Sequence, residues 1–167
     1  MRLGILSDTH DQLDRTQAAV RLLRDKGADA LIHCGDVTTP PIIEACGVLP
    51  LWFVFGNNDV DDVSALRDAA SLRDATCLEW GGLISLGGRR IAVTHGHQRM
   101  EVRRVLAERP EYLLAGHSHI ASDSTIDGVR RINPGALHRA RTYTVALLDL
   151  ERDDLSFLTV PPTPNDH

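Results

Sequence analysis

Lysine is almost missing from this 167-residue chain: Lys26 stands alone beside seventeen arginines. The arginines are spread over the whole sequence, so the skew reflects coding preference rather than a phosphate-recognition cluster, and no basic stripe is evident. The formal net charge of −5 argues against a general nucleic-acid or membrane-surface binder. Cysteine is scarce too. Cys34, Cys46 and Cys77 are odd in number and lack CxxC spacing, which leaves neither a disulfide framework nor a thiolate zinc site indicated. They read as small buried thiols in a reducing compartment. No apolar run approaches the roughly 20 residues that a membrane span needs. Nor does a charged segment with a long apolar stretch precede the first strand-like run. A cytoplasmic location is therefore expected. With no repeat, linker or low-complexity segment, one domain is expected over residues 1–160, followed by a frayed, proline-rich tail over 161–167.

What the chain does have is a repeated device. The apolar run Leu3, Ile5, Leu6 ends in Ser7-Asp8-Thr9-His10. Later strand-like runs end in the same manner, at Cys34-Gly35-Asp36, Gly56-Asn57-Asn58-Asp59, His95-Gly96-His97 and Gly116-His117-Ser118-His119. In open α/β sheets ligands collect outside the carboxyl ends of the strands. Five such ends carrying carboxylates, an amide and imidazoles point to one shared site.

Between these ends the pattern alternates. Residues 11–26 read as a helix with Val20, Leu22 and Leu23 inside, Asp11 at its start and Gly27 after its end. Ala30–His33 and Leu51–Phe55 read as buried parallel strands, with a short Pro40-Pro41 helix between them and another helix over 61–70. From about Cys77 the texture changes to hairpins. These are 83–86 with 89–94 across Gly87-Gly88, 120–126 with 129–132 across Asp127-Gly128, and 142–150 with 155–160 across Asp153-Asp154. A helix over 98–108 and a strand at 112–115 complete the second half. A βα half followed by a hairpin-rich half predicts an α/β fold with two sheets packed face to face and helices outside.

The donor types narrow the chemistry. Carboxylates, an amide and imidazoles form a mixed nitrogen and oxygen set that suits Mn, Fe, Co, Ni or Zn, whereas magnesium and calcium sites use little histidine. Seven candidates, Asp8, His10, Asp36, Asn57, His95, His117 and His119, are too many for one tetrahedral ion. They fit two divalent ions sharing a carboxylate. A pair roughly 3.5–4 Å apart holds a bridging hydroxide and clamps the oxygens of an in-line phosphoryl displacement.

The order D-x-H, G-D, G-N-x-D, H-x-H and G-H-x-H resembles the calcineurin-like metallophosphoesterase superfamily. With its short length and the turn Asn133-Pro134-Gly135, the chain looks most like the small bacterial and archaeal phosphodiesterase branch. The resemblance implies a four-layer αββα sandwich of two mixed β-sheets flanked by helices. It implies that Asp8, His10 and His119 hold one metal, that Asp36 bridges, and that Asn57, His95 and His117 complete the second site. One position departs from the superfamily pattern. Asn58 stands where a histidine usually protonates the leaving group or steadies the phosphate, and an amide donates a hydrogen bond but is no general acid near neutral pH. The small branch often lacks that histidine as well. Asp59 then orients the loop or a ligand, and His97 is open between donating to phosphate and a structural role.

The expected activity is hydrolysis of a small phosphodiester by a metal-bridging hydroxide, with Asp36, Asn58 and His97 as catalytic candidates and manganese the favoured metal of the pair. A phosphomonoesterase of the same superfamily and a non-catalytic metal-binding scaffold are the alternatives. No stable nucleic-acid partner and no membrane are expected. Self-association is a habit of related small enzymes, with no surface singled out here. His33 reads as a satisfied core histidine, and Arg99, Arg103 and Arg104 as the wet face of a helix. His138, Arg139 and Arg141 are the better candidates for touching substrate, provided the Asn-Pro-Gly turn faces the metals.

Overall fold

A computed structural model describes residues 1–163. The strands are β1 (Arg2–Leu6), β2 (Ala30–His33), β3 (Leu51–Phe53), β4 (Ala75–Cys77), β5 (Gly81–Leu86), β6 (Arg89–Thr94), β7 (Tyr112–Leu114), β8 (Ser122–Ile126), β9 (Val129–Asn133), β10 (Thr144–Asp149) and β11 (Asp154–Thr159). The helices are α1 (Leu13–Asp25), α2 (Pro40–Cys46), α3 (Val63–Ser71) and α4 (Arg99–Ala107). One sheet runs β11-β10-β1-β2-β3-β4 and the other β5-β6-β7-β9-β8. Both are mixed: β1 to β4 are parallel with β10 antiparallel to β1, and β6, β7 and β9 are parallel with antiparallel hairpin partners at each end.

Side-chain alternation explains the layering. On β1, Leu3 and Ile5 point between the sheets, where they meet Ile91, Val93, Tyr112, Leu114 and Ile132 of the second sheet. Leu6 points the other way, into the layer where α1 (Ala19, Val20, Leu23), α2 (Ile42, Ile43) and α3 (Leu66, Ala69) cover the first sheet. The second sheet is covered by α4, whose Val102, Val105 and Leu106 pack on Ala92 and Leu113. The result is the αββα sandwich expected from the sequence.

Three local features differ from the expectation. Asp11 does not cap α1: its backbone is left-handed (φ 61°), and Gln12 precedes the helix without a side-chain cap. Strand β4 has only three residues and no apolar run, and its pairing with β3 alone defines it. The last hairpin, β10 with β11, returns to the first sheet, because β1 has an open edge and β10 fills it in antiparallel register from Arg2–Asp149 to Ile5–Ala146. Of the expected tail, residues 164–167 lie outside the described part; Thr163 is buried. No helix among the described residues is long and apolar enough to cross a membrane. Cys34 and Cys46 are buried free thiols, and Cys77 is half-buried.

His33 ends β2 in the core and ties the first two loops together. Its Nδ1 accepts from the Gly35 N–H at 3.2 Å, and its Nε2 lies 3.1 Å from Thr9 Oγ1, which donates to the Asp36 carbonyl at 3.2 Å. One tautomer, with the proton on Nε2, satisfies every partner. Burial, helped by the nearby His95 imidazole, lowers the His33 pKa from 6.5 to about 3. The unfolded chain therefore binds a proton that the folded chain refuses between those values, and stability falls as pH drops from 6.5 toward 3. In metal-free protein this residue should cost about 1.4 kcal/mol per pH unit across that window. His33→Gln should flatten a pH series of urea-unfolding curves by that slope, and an unflattened series would mean that folded His33 takes up the proton.

Candidate metal centre

The carboxyl ends of β1, β2 and β3 meet those of β6 and β7 at one edge of the sandwich. Backbone hydrogen bonds clip the loops side by side: Asp8 N–H donates to the Gly35 carbonyl at 3.0 Å, His10 N–H to the Asp36 carbonyl at 3.1 Å, and Gly116 N–H to the His95 carbonyl at 3.1 Å. Asp8, His10, Asp36, His117 and His119 all have left-handed backbones, with φ between 42° and 69°. Such a conformation costs an L-residue about 1–2 kcal/mol, and clusters of it persist where the surroundings over-determine the chain. Glycines let the backbone come this close. A Cβ at Gly56 would lie 2.1 Å from Asp36 Oδ1, and one at Gly116 would lie 1.9 Å from Ser7 Oγ and 2.7 Å from Asp8 Oδ2.

The side chains converge on two groups, Asp8 with His10 and His119, and Asp8 with Asp36 and His95; within each group the donor atoms all lie within 4.8 Å of one another. His119 Nε2 is 3.1 Å from Asp8 Oδ1, and His10 Nε2 is 3.2 Å from Asp36 Oδ2. His95 Nε2 sits between the carboxylates, 3.4 Å from Asp36 Oδ2 and 3.9 Å from Asp8 Oδ1. Asn57 joins through Oδ1, 3.2 Å from His95 Nε2. His117 is exposed and outside both groups; its backbone N–H donates to Asp8 Oδ2 at 3.1 Å and its ring centroid lies 5.1 Å from that of His95. His97 is half-buried, its ring 5.3 Å from His95 and edge-on to Trp80.

Asn58 turns toward the carboxylate. Its backbone N–H donates to Asp36 Oδ1 at 2.9 Å and its side-chain amide to Oδ2 at 2.7 Å. Buried Asp59 accepts from the Thr38 and Gly56 N–H groups at 2.7 and 2.6 Å, which shapes the loop carrying Asn57 and Asn58. His95 Nδ1 lies 2.8 Å from the Cys34 carbonyl, which orients the ring so that Nε2 faces the carboxylates.

Burial alone would raise the Asp36 pKa, but the His10 and His95 imidazoles and the Asn58 amide outweigh it and hold the carboxyl far below the ordinary range. Burial opposes a charged His95, yet the Asp36 and Asp8 carboxylates raise its pKa. His97 goes the other way: burial and the His95 and His117 rings lower it. Asp8 Oδ1 and His10 Nε2 are buried with no hydrogen-bond partner. Two carboxylates and three imidazoles converging around two buried atoms without hydrogen bonds are what a divalent cation requires, so the residues present fit a metal centre.

Sequence reasoning missed the residues that brace the centre from outside. Asn133 Nδ2 donates to the Gly116 carbonyl at 2.8 Å and Ser118 Oγ at 3.0 Å, while its Oδ1 takes the Gly135 N–H at 2.9 Å. The Asn-Pro-Gly turn held a signal for this role, since an Asn before Pro-Gly favours such a local bond. The turn does face the site: the His138 ring lies 4.7 Å from that of His10.

A profile of the calcineurin-like phosphoesterase superfamily domain matches residues 1–153. The chain is 32% identical over 167 residues to the probable metallophosphoesterase YsnB of Bacillus subtilis, covering 92% of this chain and 86% of that protein. It is 24% identical over 159 residues to a phosphodiesterase of Methanocaldococcus jannaschii, covering 92% and 96% respectively. A solved archaeal phosphodiesterase has the same fold, with a TM-score of 0.82, 24% identity and coverage of 95% of this chain and 99% of that one. Agreement over nearly the whole length, including every loop that reaches the site, shows that the chain belongs to the calcineurin-like phosphoesterase superfamily.

Proposed function

We propose that this chain is a dinuclear, metal-dependent phosphodiesterase acting on a small phosphodiester in the cytoplasm. The observation that carries this reading is the convergence of Asp8, His10, His119, Asp36 and His95, among which Asp8 Oδ1 and His10 Nε2 are buried without hydrogen-bond partners. The phosphodiesterase name of the Methanocaldococcus jannaschii relative supports the substrate class. Asp8, His10 and His119 would hold one ion and Asn57, His95 and His117 the other, with the Asp36 carboxylate available to both. Manganese is favoured, with nickel, iron, cobalt and zinc as alternatives. When bound, a divalent pair lowers the pKa of water and neutralises charge that develops on phosphoryl oxygens.

The chain's own residues set the rest. Asp36 is kept ionised by its imidazole and amide partners, so it stays a full anionic donor at neutral pH. Asn58 locks that carboxylate and offers no acid to a leaving group. That favours diesters whose leaving oxygen departs without a strong proton donor. His97, kept neutral by burial and the adjacent rings, is assigned to donate a hydrogen bond to a phosphoryl oxygen.

The direct test is hydrolysis of a chromogenic diester and its monoester counterpart by metal-stripped protein, with and without Mn²⁺. Metal-restored cleavage favouring the diester is expected; stoichiometric binding of two ions with no turnover would point to a scaffold instead. Asp36→Ala should lower turnover by more than about 100-fold, since loss of even an outer support costs about 10–100-fold. It should also remove the second ion from the binding stoichiometry, and full activity in that variant would refute the assignment. Asn58→His should raise the monoester-to-diester rate ratio. An unchanged ratio would show that the missing acid plays no part in substrate choice.

A further inference from the structure

The Asp8–His10–His119 group is enclosed by the segment after the Asn133-Pro134-Gly135 turn. Leu137 N–H donates to the Asp8 and Ser7 carbonyls at 3.2 and 3.3 Å. The His138 ring lies 4.7 Å from the His10 ring, tilted by 38°. The Arg139 carbonyl is 3.4 Å from His119 Nδ1. Three consecutive residues therefore touch the three members of one group in turn. The Asp36–His95 side draws its support elsewhere, from the Cys34 carbonyl, Asn57 and Asn58.

This strap is clasped from α1. Arg15 Nη1 donates to the Leu137 carbonyl at 2.6 Å, and the Arg15 guanidinium stacks 3.7 Å above the Tyr143 ring. Arg15 is only 7% exposed, whereas Arg21 and Arg24 further along the helix face solvent. A buried cation is costly unless its partners are worth the desolvation. Here a single planar group performs two tasks that a lysine ammonium does not combine, donating in its plane while stacking on its face. The strap's near end is fixed independently, by Asn133 and by Thr144 Oγ1 donating to the Pro134 carbonyl at 2.8 Å. Arg15, backed by the Tyr143 ring, thus holds the strap at Leu137, where it enters the site.

We propose that Arg15 is a positioning residue for the Asp8–His10–His119 subsite, acting through the 137–139 strap without touching metal or substrate. The inference rests on the dinuclear reading above. With the clasp opened, the Asp8 backbone, the His10 ring and the His119 Nδ1 lose their outer contacts together, while the Asp36–His95 side keeps its own. The two subsites should therefore respond unequally. Outer supports of this kind are worth about 10–100-fold in metal affinity.

The test is calorimetric titration of metal-stripped protein with Mn²⁺, comparing wild type with Arg15→Ala, Tyr143→Leu and Tyr143→Phe. Wild type should take up two ions. Arg15→Ala and Tyr143→Leu should weaken one of the two affinities by about tenfold or more and the other by clearly less, since of the strap's three contacts only Asp8 belongs to both groups. Tyr143→Phe, which keeps the stacking face, should match wild type. Hydrogen exchange at the Leu137 amide, measured without metal, should speed up in the first two variants only. Should Arg15→Ala fail to fold, Tyr143→Leu decides. Two ions bound with unchanged affinities, or an equal loss at both sites, in folded variants would overturn the inference alone. Failure of the wild type to take up metal would overturn the metal centre itself and the inference with it.

Discussion

Two carboxylates, Asp8 and Asp36, are brought within reach of the same imidazole in the buried seam where two sheets meet, and the remainder of the structure accommodates that fact. Both are almost wholly inaccessible, at 0% and 2% exposure, and their ion-pair partners among the described residues are histidines. Like charges in a low-dielectric site disfavour each other's ionisation. Asp36 nonetheless stays ionised, because imidazole and amide donors surround it. A donor set so arranged is matched to cations, and the chain's membership of a metal-dependent phosphoesterase superfamily agrees with that demand.

Holding this arrangement has a local cost. Five of the seven candidate ligands have left-handed backbones, and two glycines stand where any Cβ would strike a neighbouring loop. The sandwich supplies the compensation. Leu3 and Ile5 lock β1 against the second sheet, and Leu6 locks it against the helices, so the next residues of the chain have little freedom to relax. Rigid strands end where strained loops begin. That division lets a centre assembled from five loops keep its geometry.

Much of this was legible in the sequence because it is written in local terms. Apolar runs closing in Asp8-Thr9-His10 or Gly116-His117 need no tertiary knowledge to be noticed. What was not legible depended on neighbours distant in the chain. β4 is a strand only because β3 lies beside it, and β10 joins the first sheet only because β1 has a free edge. Asp11 looks like a helix cap, yet the clip between His10 and the Asp36 carbonyl holds this loop, and its own backbone is left-handed. Asn58 reads as a residue for substrate, but Asp36 is the acceptor nearest its amide. Arg15 shares its helix with the exposed Arg21 and Arg24, and the approach of residues 137 and 143 accompanies its burial.

The donor types, their order and their places at strand ends are readable from the chain alone, since periodicity and side-chain chemistry are properties of short segments. Tertiary structure decided which donors face which. That depends on sheet order, on strand register and on turns from other parts of the chain, none of which a short segment encodes. His117 and His119 are two residues apart, yet one offers Asp8 its backbone N–H and the other its imidazole. The difference arises from a backbone that curls left-handed between β7 and β8, packed against a loop more than a hundred residues earlier.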